Sequence, residues 1–204
     1  MMKLYYSKNL NPRVAVAVAR HLNSPVEFVR ASPRNPANEE AFRRINPNTL
    51  VPVLVEAHRT LWEADAIACR LSALAASDFW VTGDSAPEFQ MWISWSTHHF
   101  TRAASVFYWE YVIKPMLGDP NVDHEALGEA APDFHRYAGV LNDALSGRTW
   151  LVDNQLSYAD FRVATALPFA ETANLPIQDY QHIRRWHAQL WQLPAWSKPF
   201  DGPL

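Results

Sequence analysis

The sequence predicts an α/β domain followed by an all-helical one, and three observations carry that expectation. Short β-rich runs alternate with helical runs over the first third of the chain. From about Ala86 onward the pattern is helical, with no convincing strand. Phe79–Asp84 between them has the periodicity of neither, so residues 1–78 and 86–204 read as two domains joined by a linker at 79–85.

The first domain takes the order strand, helix, strand, short helix, strand, strand, helix. Lys3–Tyr6 and Val26–Arg30 are β-rich and bounded by Asn and Pro, and Val53–Val55 with Arg59–Leu61 fits a hairpin across 56–58. Val14–Leu22 alternates valine with alanine, which alone permits a strand. The preceding Asn11-Pro12 is a helix start, however, with asparagine as N-cap and proline at the first helical position. A short helix is expected near Glu39–Ile45. After the fourth strand the chain enters a helix opened by two acids, Glu63 and Asp65, which suits the positive end of the helix dipole.

In the second domain Ser85-Ala86-Pro87-Glu88 has the form of a capping box, and a long helix should follow it to about Lys114, stopped by Pro115. Further helices are expected at about His124–Leu145, Tyr158–Thr172 and Ile183–Leu193. Ser157-Tyr158-Ala159-Asp160 opens the second of these with a similar cap, and Leu156 serves as its hydrophobic staple.

Composition narrows the partners. The 204 residues carry a formal charge of -3 and a pI near 6.2, with no basic run, which argues against nucleic acid and a membrane surface. No apolar segment approaches a membrane span, and Met1-Met2-Lys3-Leu4 lacks a signal-peptide core, so a cytoplasmic location is expected. The single cysteine, Cys69, excludes an internal disulfide and Cys-x-x-Cys chemistry, and inside its helix it reads as a small filler. His98-His99 is not a metal pair, because adjacent helical residues diverge and no ligand follows four residues on. No metal is expected.

The most informative stretch runs from Asn46 to Ile67. Pro52, directly before the apolar run Val53-Leu54-Val55, cannot donate to a sheet ladder and belongs at the start of a strand. The backbone of Val51 is then left free, and a cis Val51-Pro52 bond would turn its unpaired groups toward a ligand. Asn46-Pro47 with Val51-Pro52-Val53-Leu54, the Glu63-Ala64-Asp65-Ala66-Ile67 helix start, Ser157-Tyr158-Ala159-Asp160, and Arg184-Arg185-Trp186-His187 with Leu193-Pro194-Ala195-Trp196 occur in that order. With these motifs the chain resembles the cytosolic glutathione transferase family over essentially its whole length, and the bacterial Nu-like pattern most closely.

The resemblance implies a thioredoxin-like N-terminal domain, an all-helical C-terminal domain and a homodimer. It also implies glutathione as co-substrate, a small apolar electrophile as its partner in detoxification, and glutathione contacts from Val51, Pro52, Glu63 and Ala64. Two positions depart from the family: Leu50 stands where a lysine or arginine is common, and Ala64 where a serine or threonine is. Each loss removes a hydrogen bond worth roughly 1.5–3 kcal/mol to a charged ligand group. The Ala64 backbone N–H is still available.

Glutathione chemistry needs thiolate, and lowering a thiol pKa from about 8.5 to about 6.5 takes about 2.7 kcal/mol. A helix N-terminus contributes about 0.3–2 kcal/mol and one donor to the thiolate about 1.5–3. The segment joining the first strand to the first helix should hold that donor. Asn9 falls where related enzymes place serine or threonine, and Asn11 where several bacterial classes place cysteine or asparagine. An amide donates but cannot accept a proton at neutral pH, so both residues would stabilise thiolate rather than act as bases. For Asn11 helix capping is the competing role, for Asn9 a turn, and Tyr6 is a further candidate donor. Arg13 reads as a brace at the domain boundary.

On the long helix Trp92, Trp95, His99 and Arg102 follow helical spacing and can share one face. Trp95, His99 and Arg102 are the candidate acceptor pocket for a flat apolar electrophile, with core packing as the competing reading for the tryptophans. Conjugation, disulfide reduction and isomerisation all remain open. So does a non-catalytic protein-binding module, which Leu50 and Ala64 favour.

Overall fold

The computed structural model describes residues 2–202. They divide into two compact units, 2–80 with 193–202, and 81–192. The segment 193–202, which the sequence reading ran on with the helices, packs in the first unit.

The first unit is a four-stranded mixed sheet of order β2-β1-β3-β4 with helices, the thioredoxin-like arrangement. Strands β1 (Met2–Tyr6) and β2 (Val26–Arg30) are parallel, joined through helix α1 (Leu10–His21). Helix α2 (Pro36–Arg43) follows β2, and β3 (Val53–Val55) lies antiparallel to both β1 and β4 (Thr60–Trp62). Helix α3 (Ala64–Leu74) closes the unit.

Helix α1 is buried without a break from Pro12 to Ala19 because it is covered on more than one side, by β1, α3 and the later helix α10 (Pro194–Ser197). That explains why its valines and alanines show no polar face. Leu4, Val53, Leu54, Ile67 and Leu71 complete the core, each contributing about 1.5–3 kcal/mol on full burial.

Three helix starts differ from expectation. Asn9, not Asn11, is the N-cap of α1, and the first helical bond runs from Arg13 N to Asn9 O at 2.9 Å. Asn11 and Pro12 therefore lie within the first turn, where a missing N–H leaves no helical bond unmade. Glu63 is the residue before α3 rather than its first acid, and only Asp65 lies in the first turn. The second helix begins at Pro36, earlier than expected, because Asn35 caps it through Ala37 N at 3.0 Å.

At the far end of the β3–β4 hairpin Glu56 accepts from Arg70 through Nε at 3.1 Å to each oxygen and through Nη2 at 2.8 Å. Arg70 is the main cause of a Glu56 pKa held below the usual carboxylate value. A lowered acid pKa stabilises the fold at pH values above the unfolded carboxylate pKa and loses that contribution as pH falls through the folded value. Glu56→Gln is therefore expected to lower the thermal midpoint by roughly 1–2 °C at pH 7. At a pH low enough to protonate the folded carboxyl it should change nothing, and an equal effect at both pH values in a thermal melt would remove the ion pair as the cause.

The second unit is helical. Helix α4 (Ala86–Trp95), a π turn (Ser96–Phe100), α5 (Thr101–Tyr108), a second π turn (Trp109–Ile113) and α6 (Lys114–Met116) form one continuous run. Pro115 lies inside its last turn, and Gly118, at φ 91, follows the end. Ser85 closes a 3-10 turn (Gly83–Ser85) in αR geometry, so it makes no capping box, and Glu88 pairs with Arg148 at 3.0 Å instead.

Helix α7 (His124–Ala144) is capped by Asp123 and carries Pro132 internally. Helix α8 (Tyr158–Val163) is far shorter than expected, giving way to turns and a 3-10 turn (Leu167–Phe169) that contains Pro168. Its capping box forms as expected, and α9 (Gln181–Trp191) packs on α7. Phe89, Phe100, Phe134, Phe161 and Trp186 make a fully buried aromatic core. No helix among the described residues is long and apolar enough to cross a membrane.

Candidate functional site

Strand register assembles the site. Tyr5 pairs with Val53, and Val53 pairs with Trp62, so these three residues stand side by side across β1, β3 and β4. The chain leaves β1 after Tyr6, enters β3 from Val51-Pro52, and leaves β4 into Glu63-Ala64. All three segments therefore emerge at one end of the sheet. Helices α1 and α3 both begin there, at Leu10 and Ala64, and their N-termini bring positive dipole ends to it.

The candidates fall at this end in distinct environments. The Val51-Pro52 bond is cis, with Pro52 buried and Val51 half-buried. Glu63 is exposed and adopts φ 72, ψ 132, a left-handed conformation that costs a non-glycine residue of order 1–3 kcal/mol and is found chiefly where function holds it. Ala64 is buried directly behind it. Asn9 is exposed at the N-cap position, and Asn11 is half-buried in the first turn of α1. Leu50 is 44% exposed, an apolar side chain at the rim where a cation was expected. Tyr6 is buried, its ring stacked on Phe200 at 5.6 Å, the position of a packing aromatic.

This end of the sheet presents backbone polar groups, two helix N-termini, two amides and one carboxylate. Such groups suit an extended peptide and an anionic sulfur. Among the described residues no group of three or more His, Cys, Asp and Glu could hold a metal ion. Cys69 is a free, half-buried thiol within α3.

The helical unit contains a cavity of about 590 Å³ between the first π turn with α5 and helix α7. It gathers His99 and Arg102 with His98, Glu129, Asp133 and Tyr137. Trp95 is not among its lining residues; it packs on Trp92 at 5.3 Å and Phe100 at 5.9 Å. The π turn between Trp95 and Thr101 breaks the 3.6-residue spacing on which a shared face depended. Sequence reasoning missed the opposite wall, although Glu129, Asp133 and Tyr137 recur at four-residue intervals and so share one face of α7.

A thioredoxin-like unit with two helix N-termini at one sheet end, and a second unit that is all-helical, define an α/β plus all-α class of protein. Residues 2–69 match the glutathione S-transferase N-terminal domain, and residues 106–194 the glutathione S-transferase C-terminal domain. Glutathione S-transferase 3 of Zea mays is 26% identical over 208 residues, spanning 95% of this chain and 90% of that protein. Glutathione S-transferase GstB of Escherichia coli (strain K12) is 23% identical over 203 residues, spanning 97% and 96%. Among solved structures, glutathione S-transferase III in its apo form superposes with a TM-score of 0.88 at 22% identity, covering 99% of this chain and 96% of that one. Glutathione S-transferase I from maize in complex with an atrazine glutathione conjugate gives 0.87 at 22% identity, covering 97% and 95%. The chain belongs to the glutathione S-transferase family.

Proposed function

We propose that this protein is a glutathione transferase that holds glutathione at the end of its sheet and stabilises the thiolate for attack on a small electrophile. The alignment of Tyr5, Val53 and Trp62 carries the proposal, because it joins the strand-to-helix loop, the cis-proline segment and the Glu63 turn. Val51 offers its backbone to the cysteinyl segment, while Glu63 and the Ala64 N–H take the γ-glutamyl end. Asn9 and Asn11 donate to the sulfur at the N-terminus of α1, and the thiol proton leaves to solvent.

In conjugation the sulfur lone pair forms a bond to carbon as the leaving group departs with its electron pair. In disulfide reduction the same lone pair attacks sulfur and expels a thiolate. The acceptor pocket is assigned to the helical domain, 86–204 in the sequence-based division, with His99 and Arg102 at the cavity and Trp95 behind it. Glu129 and Asp133 on the facing wall favour an acceptor that carries polarity of both signs. A homodimer and a cytoplasmic location complete the reading.

The test is a calorimetric titration with glutathione followed by conjugation kinetics. Asn11→Ala is expected to lower kcat/KM about 10- to 150-fold, the equivalent of one hydrogen bond to a charged sulfur. The same assay on Arg102→Ala reports whether the cavity takes the acceptor. A competing reading, a non-catalytic binding module, is favoured by Leu50 and Ala64. Absence of glutathione binding at millimolar concentration would establish it over the enzyme.

A further inference from the structure

We infer that Asn46 is a positioning residue for the thiol-peptide site, its side-chain amide setting the geometry in which the Val51 backbone is presented. The inference rests on the glutathione reading above. Asn46 is 2% exposed, an unusual burial for an amide in a connecting segment. Both arms of the amide are used: Nδ2 donates to Leu50 O at 2.8 Å, and Oδ1 accepts from Asn48 N at 3.0 Å. Its backbone carbonyl accepts from Thr49 N at 2.9 Å, and its own N–H donates to Phe42 O at 2.9 Å. One residue anchored to the end of α2 therefore holds the next three polar positions before Val51.

The held conformation is not one the chain would choose. Thr49 lies at φ 51, and a β-branched residue in the left-handed region is a steric outlier. Released from Asn46, Thr49 would relax toward the extended region and carry Leu50 and Val51 with it, since the next fixed point is Val53 in β3. A primary amide of this length carries its donor nitrogen and acceptor oxygen on separate atoms of one plane, which a hydroxyl does not. Aspartate would keep the bond from Asn48 and set a carboxylate against the Leu50 carbonyl.

Asn46→Ala and Asn46→Asp test this against a purely structural role. Calorimetric titration with glutathione gives affinity and, through its stoichiometry, the folded fraction. Saturation kinetics with 1-chloro-2,4-dinitrobenzene give KM and kcat. A positioning role predicts that Kd and KM for glutathione rise about tenfold or more while kcat at saturation stays within about twofold. It also predicts faster hydrogen exchange in peptides spanning 47–53 and unchanged exchange in β1.

A Kd within twofold of wild type, or a kcat that falls with the folded fraction at constant KM, overturns the inference. Asn46→Asp preserves size and one of the two bonds, so it carries the test if the alanine variant does not fold. Should wild type bind no glutathione, the functional reading fails by itself. Exchange at 47–53 then decides on Asn46, and an unchanged rate there overturns its role.

Discussion

Asp160→Asn is expected to lower the unfolding free energy by about 1–3 kcal/mol, although it changes one atom of a single side chain. Asp160 is 0% exposed at the start of α8. Its Oδ1 accepts from Leu151 N at 3.1 Å and from Trp186 Nε1 at 2.9 Å. Its Oδ2 accepts from Ser157 N at 3.0 Å and Ser157 Oγ at 3.3 Å. Burial pushes the carboxyl up to about 6 while these four donors pull it down, so at pH 7 it is ionised.

Every group facing the carboxylate is a donor. An asparagine must turn its own NH2 toward one pair: facing Leu151 N and Trp186 Nε1 it leaves both unpaired, and facing Ser157 it leaves the Ser157 N–H unpaired while the hydroxyl turns to accept. The bonds tie the loop at Leu151, the start of α8 and helix α9 into one cluster, so the loss is cooperative. Urea unfolding followed by tryptophan fluorescence should show the shift. Trp186→Phe, which removes one donor and keeps most of the ring, should cost less. A loss under about 1 kcal/mol for Asp160→Asn would mean that the cluster is dispensable.

That box was legible in the sequence, and its counterpart at Ser85 was not, for a reason that lies in the backbone. Ser157 enters α8 in extended geometry, φ -139 and ψ 174, which aims its side chain at the first turn. Ser85 already sits in αR geometry, φ -85 and ψ -4, as the last residue of a 3-10 turn. A Ser-x-x-Glu spacing does not report the conformation of its own first residue. The Asn-Pro dipeptide shows the same limit: Asn35-Pro36 starts a helix, whereas Asn11-Pro12 lies within the first turn of another.

Site residues were legible singly and not as a group. Pro52 and Glu63 stood out from local chemistry, a proline at a strand start and an acid before a helix. Their convergence depends on which residues pair across β1, β3 and β4, and three-residue strands such as Val53–Val55 carry too little pattern to fix a register. Asn46 was quoted only as part of a motif, because its partners lie two and four residues on and the burial that gives them weight is a tertiary property. The π turn at Ser96–Phe100 left no mark in composition, and it interrupts the helical spacing between Trp95 and Arg102.

Arg13→Ala is expected to cost about 3–5 kcal/mol, summed from the losses at its buried site, and to loosen the end of the chain. Arg13 was read as a brace at the domain boundary. Within the first unit it braces the segment 193–202 to α1. Its guanidinium is 4% exposed, donates through Nη2 to the Trp196 carbonyl, and lies 4.7 Å from the Trp196 ring. The same segment is held by Arg20 Nε to Pro199 O at 3.3 Å, by the Tyr6–Phe200 stack, and by Lys8 Nζ, 5.5 Å from the Phe200 ring. Tyr6 and Lys8 lie on the chain that leads to Asn9, so order in this segment bears on the end of the sheet where α1 begins.

Removing Arg13 leaves the Trp196 carbonyl buried without that donor, forfeits a cation–π contact of about 0.5–2 kcal/mol, and opens a void against a large indole. Methionine separates these contributions. Burial lowers the Arg13 pKa to about 10, and Nη1 is buried with no hydrogen-bond partner among the described residues, so the charge itself is held at a cost. Arg13→Met fills much of the volume and removes that charge, and should lose only about 1–3 kcal/mol. Urea unfolding ranks the two variants, and limited proteolysis reads the release of 193–202. Equal losses for alanine and methionine would assign the effect to what both lose, the hydrogen bond and the cation–π contact at Trp196, rather than to the void, and undiminished protease resistance in Arg13→Ala would show that the other contacts hold the segment alone.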